Sequence, residues 1–144
     1  MFWAKTKSIE AVPEDRKEKV AIEAEGLYLS GKMHCAEAVL TVIKDNFMPE
    51  AGEEIVRLAA GFGGGSGTGC ICGAVAGGTM ALGLVSKDNK KWAAQLTKEL
   101  HHWFKREYGA TCCKVILQTH KKICPMLTGR VAWKVAELIE SKGQ

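Results

Sequence analysis

Between Gly61 and Gly69 the chain reads Gly-Phe-Gly-Gly-Gly-Ser-Gly-Thr-Gly, six glycines in nine positions. The backbone entropy of such a run is too large for a regular helix or strand to hold it. The stretch is therefore a loop whose residues can take positive φ or approach other backbone closely. What flanks it follows a helical period. Upstream, Pro13 to Leu29 is a charged amphipathic segment with Val20, Ala24 and Leu27 on one face, stopped by Gly31. Met33 to Asn46 places Ala36, Val39, Leu40 and Ile43 at helical intervals, with Phe47 continuing the series. Pro49 and Gly52 end it, and Glu53 to Ala60 is a short third helix.

Downstream, Cys72 to Val85 is a helix with a stripe of small residues, Ala74, Gly77, Gly78 and Ala81, onto which another helix or a cofactor can press. Asn89 to Glu107 carries Trp92, Leu96, Leu100 and Trp103 on one face until Tyr108-Gly109 stops it. A helix rich in cysteine near its start runs from about Thr111 to Lys121, Cys124-Pro125 closes that stretch, and a last helix begins near Thr128 with Val131, Val135 and Leu138 inward. No segment alternates polar and apolar residues, and none repeats. The 144 residues thus predict an all-α fold, one domain spanning 1–144, a bundle of about six helices with the glycine-rich loop before the small-residue helix.

The charge-free window from Leu58 to Ser86 is not a membrane span, because ten of its 29 residues are glycine and its apolar helix is too short. Charge is uneven along the chain. Residues 1–86 carry eight basic and eleven acidic side chains, a net of −3, whereas residues 87–144 carry twelve and five, a net of +7. The lysines of the basic half are scattered along helix faces without interleaved aromatics, which predicts a solvated surface and no nucleic-acid site. The glycines never satisfy G-x-G-x-x-G, and no Gly-Lys-Ser/Thr follows them, so dinucleotide and P-loop binding are not supported.

Six cysteines, Cys35, Cys70, Cys72, Cys112, Cys113 and Cys124, are the feature that points to chemistry. Met1 to Glu10 hold Lys5 and Lys7 but lead into no apolar run of signal-peptide length, which predicts a cytoplasmic chain. In such a compartment a cysteine-rich sequence reads as metal-binding or redox-active thiols rather than a disulfide framework. Cys35, Cys70, Cys72, Cys112 and Cys113 each follow a glycine at an expected helix start. N–H groups and the helix dipole there predict thiol pKa values shifted down toward the thiolate, the form that attacks disulfides and ligates metals.

Three segments resemble a bacterial and archaeal redox-active family named after its C-GCAxxG-C-C cysteine pattern. They are Gly31-Lys32-Met33-His34-Cys35-Ala36-Glu37-Ala38-Val39-Leu40, then Gly61-Phe62-Gly63-Gly64-Gly65 continuing to Cys72-Gly73-Ala74-Val75-Ala76-Gly77, then Tyr108-Gly109-Ala110-Thr111-Cys112-Cys113 with a last cysteine at Cys124. The resemblance covers about residues 15–140. It implies an all-helical domain in which Cys35, Cys72, Cys113 and Cys124 are the four family cysteines. It is also similar to the cluster-bearing part of split-Soret cytochromes, which by analogy implies an iron–sulfur centre. His34, Cys70 and Cys112 depart from the family pattern, and each is a further candidate metal ligand or a resolving thiol.

Four thiolates suit a [2Fe–2S] or [4Fe–4S] cluster, although no Cys-x-x-Cys-x-x-Cys run is present, so the ligands would come from distant helix ends. Gly63, Gly64, Gly65 and Gly73 are then candidates whose N–H groups approach the cluster, unless the loop is a bare connector. The leading expectation is an electron-transfer protein serving a redox partner protein, as a monomer or a helical homodimer. One alternative is a thiol–disulfide oxidoreductase using Cys35, Cys72, Cys113 and Cys124, with long-range pairs such as Cys72 and Cys113. The other is a zinc-stabilised interaction module, with His34 or the pair His120 and Cys124 adding ligands. A Cys72–His101 nucleophilic pair has no local support.

Overall fold

The computed structural model describes residues 15–142; the segment carrying Lys5 and Lys7, and the expected helix start at Pro13, lie outside the described residues. Six helices of seven residues or more form the fold, with one four-residue turn of helix, and no strand occurs among the described residues. In chain order α1 spans Arg16–Leu29, α2 Cys35–Phe47, the short α3 Glu54–Arg57, α4 Gly73–Ser86, α5 Lys90–Tyr108, α6 Cys113–Thr119 and α7 Cys124–Ser141.

Local chemistry sets several of these boundaries. The Asp15 carboxylate accepts from the Lys17 N–H at 3.0 Å and starts α1. The Asn89 side chain accepts from the Trp92 N–H at 3.0 Å and starts α5, which Gly109 ends in the left-handed region at φ 81°. The expected third helix shrinks to Glu54–Arg57 and tightens into a 3-10 turn over Ala60–Phe62. One boundary is corrected. Cys124-Pro125 opens the last helix instead of closing the stretch before it, and α7 begins four residues ahead of Thr128. Proline is tolerated there because a first-turn N–H has no carbonyl four residues back to reach.

Two close helix pairs make the core, α1 on α7 and α2 on α4, with α5 packed across α4 and α7. Both close approaches depend on glycine. A Cβ on Gly77 would strike the Ala36 carbonyl, and one on Gly129 would lie 2.9 Å from the Ala21 carbonyl oxygen. The small-residue stripe of α4 therefore receives a helix. Leu40, Ile43, Val75, Leu82, Leu96, Leu100, Phe104, Val131 and Val135 fill the space between the layers and are fully buried. The helical periodicities pointed to most of these residues. No described helix is long and apolar enough to cross a membrane.

Candidate functional site

Five cysteines stand at helix starts, though not the five expected. Cys35, Cys113 and Cys124 are first residues of α2, α6 and α7, and Cys72 and Cys112 are the residues preceding α4 and α6. Cys70 instead ends the glycine turn Gly65–Gly69 in extended conformation. That turn is wound in the left-handed region, with positive φ at Gly64, Gly65, Ser66, Gly67 and Gly69. The Thr68 hydroxyl closes it by donating to the Gly65 and Cys70 carbonyls, each at 3.1 Å.

The six thiols divide into two groups. Cys70 and Cys112 form a disulfide, with Cα atoms 4.2 Å apart. Cys35, Cys72, Cys113 and Cys124 are free, and all four line one small cavity of about 20 Å³. Ile116, Leu117, Ile123 and Leu127 supply apolar wall, and Gly73 completes it beside Cys35. The Thr128 hydroxyl also faces this region, but donates to the Cys124 carbonyl at 2.7 Å. Among the described residues no lysine, arginine or carboxylate lines the cavity. The Cys72 N–H donates to the Thr111 carbonyl at 2.7 Å and brings the α4 and α6 starts together.

Cys35, Cys72 and Cys113 titrate in the direction opposite to that expected from their helix-start positions. Burial, and then the neighbouring Cys72, push Cys35 up from 9.0 to about 12, although a bond from the Ala36 N–H pulls it down. Burial pushes Cys72 up to about 11 against bonds from the Val75 and Ala74 N–H groups, with Cys113 and Cys124 adding to the rise. Cys113 is raised by burial and by Cys124. The helix-start N–H groups do lower Cys35 and Cys72. Desolvation in an apolar cavity shared with other thiols outweighs them.

The remaining expected residues lie around this cavity rather than in it. The His34 ring packs against Gly63, Gly65 sits beside Cys113 and the Cys70 backbone, and Gly64 has no side-chain space to protect. His120 makes an edge contact with the Tyr108 ring, its centroid 6.3 Å away. Neither His34 nor His120 lines the cavity. Among the described residues no group of three or more His, Cys, Asp or Glu side chains is arranged to hold a single metal ion.

Sequence reasoning missed Tyr28. Near the end of α1, its phenol is hydrogen-bonded to Cys124, and burial together with the charges of Cys124, Cys35 and Cys113 raises it to about 12. No spacing rule ties a tyrosine on the first helix to a cysteine that opens the last. Only the packing of α1 on α7 brings them together.

Residues 33–138 match a family model described as "Putative redox-active protein (C_GCAxxG_C_C)". Neither a curated protein nor a solved structure matches the chain. The matched span begins two residues before Cys35 and runs past Cys124, so it takes in every cysteine of the cavity. The chain therefore belongs to the C_GCAxxG_C_C family of redox-active proteins.

Proposed function

We propose that the protein transfers electrons through an iron–sulfur cluster ligated by Cys35, Cys72, Cys113 and Cys124. The observation that carries this reading is the convergence of four free thiols from four helix starts on one apolar cavity. Thiolates are the ligands such clusters take, and a cavity without charged lining suits a redox centre. The donor set favours a cluster over a single zinc ion. Four thiolates are the donor set of a cluster, and His34 and His120, the side chains expected to add to a zinc site, do not line the cavity. When bound, the cluster supplies one-electron chemistry. The cavity as it stands admits about one water-sized body, so accommodating a cluster requires an outward shift of α6, which packs chiefly on the glycine turn.

In this reading the Gly73 segment bounds the cluster, and Tyr28 donates a hydrogen bond to the Cys124 sulfur. The electrons pass to a redox partner protein in the cytoplasm. Anaerobic reconstitution followed by iron, acid-labile sulfide and visible-absorption measurements tests the proposal. Iron and sulfide in equal amounts with a sulfide-to-iron absorption band are expected, lost on Cys→Ser change at any of the four positions. A colourless, iron-free protein overturns it.

One observation favours a second reading. The Cys35 sulfur lies against Gly73, next to Cys72, and the Cys72 charge disfavours the Cys35 thiolate, so the same cavity is suited to a dithiol/disulfide couple. In that case thiol counting finds a reversible loss of two cavity thiols on mild oxidation, with no iron bound.

A further inference from the structure

The two cysteines outside the cavity are placed differently from the four within it. Cys70 is exposed and Cys112 half-buried, whereas Cys72 keeps only 5% of its surface. Their disulfide joins residues 42 apart in sequence, and each end adjoins a wall of the cavity. On one side Cys70 ends the glycine turn and stands two residues before Cys72. On the other, Cys112 immediately precedes Cys113, and the Thr111 carbonyl before it holds the Cys72 N–H. Gly65 of the turn accepts from the Cys70 N–H at 3.0 Å, and a Cβ on it would lie 3.0 Å from the Cys113 side chain. The turn is also the main surface on which α6 rests. The bond thus fastens the one short wall of the cavity to the turn beside it, from the solvent side.

We propose that Cys70–Cys112 is a second redox centre, a surface disulfide reduced by a dithiol, and that its state controls access to the four-thiol cavity. A thiolate of the reductant attacks the Cys70 sulfur, the exposed end, forming a mixed disulfide and releasing Cys112 as a thiolate. The second thiol of the reductant then attacks its own sulfur in that mixed disulfide and releases the Cys70 thiolate. Two electrons enter the chain, the dithiol leaves as a cyclic disulfide, and both thiolates take protons according to pH. In the reducing compartment proposed above, an accessible disulfide of this kind is one that cycles. With the bond open, the turn and α6 are joined only by non-covalent contacts, and α6 moves outward more readily. Cys70 and Cys112 lie outside the proposed ligand set, so the inference holds whatever the cavity binds.

The test uses the full-length protein as isolated without reductant, with its iron content measured in parallel. Labelling with iodoacetamide and peptide mass mapping are done before and after dithiothreitol treatment under native conditions. A linked Cys70–Cys112 peptide is expected before treatment and two new labelled thiols after it, with unchanged helical circular dichroism. Labelling of Cys113 is expected to rise ~10-fold on reduction, and to the same degree without reductant in Cys70→Ser. Absence of the linked peptide in untreated and diamide-oxidised protein overturns the proposal. So does a link that yields to dithiothreitol only in denaturant, or a reduction that leaves Cys113 labelling unchanged. Iron-free protein that nevertheless shows the linked peptide and the faster labelling counts against the cluster alone.

Discussion

Cys35 and Cys72 show how a helix start and a buried cavity compete for one proton. Their N–H neighbours favour the thiolate, but burial raises both, to about 12 and about 11. In protein freed of metal and reduced, their alkylation should therefore stay slow at pH 8–9, where an ordinary cysteine reacts, and accelerate only as pH climbs past about 11. Rates followed by mass mapping across that range check this, and fast labelling at pH 8 would contradict it. Gly77 makes a different point about single residues. Its missing side chain lets α2 lie against α4, and a Cβ there meets the Ala36 backbone, which cannot rotate away. Gly77→Ala should destabilise the fold by ~1–3 kcal/mol, read from urea unfolding.

The helices differ in what holds them. α5 and α7 are long, bury several apolar side chains each and carry defined ends, with Asn89 capping the first. Asn89→Ala should cost about 1 kcal/mol, measurable as a lowered denaturation midpoint with an unchanged slope. α6 has seven residues and buries Ile116 alone, so its attachment to the turn and to Cys112 matters more than its own stability. Amide exchange should accordingly be faster throughout α6 than in the middle of α5 or α7, and faster again once Cys70–Cys112 is reduced. Equal protection in α6 and α5 would show that the wall is rigid and the cavity closed to anything larger than water.

For the molecule as a whole, the raised thiols link folding to pH. A thiol with an ordinary value near 9.0 when unfolded and about 12 or 11 when folded holds its proton longer in the folded state. The folded form then binds more protons between these values. Its stability is fully present below pH 9 and is lost as pH rises toward 11 and 12. Urea midpoints of the metal-free, reduced protein should fall across that window, and Cys35→Ala should flatten the fall. The helical architecture, the break at Gly61–Gly69 and the face of each long helix were legible in the sequence, because helix period and glycine entropy are local properties. The family motif likewise singled out Cys35, Cys72, Cys113 and Cys124. Three things were settled only by tertiary structure: which cysteines pair as Cys70–Cys112, that Tyr28 joins the site, and that Cys35, Cys72 and Cys113 are raised rather than lowered. Each depends on what distant segments place beside a given atom. Spacing along the chain carries the charge and dipole of near neighbours, but desolvation is set by everything that packs around the group.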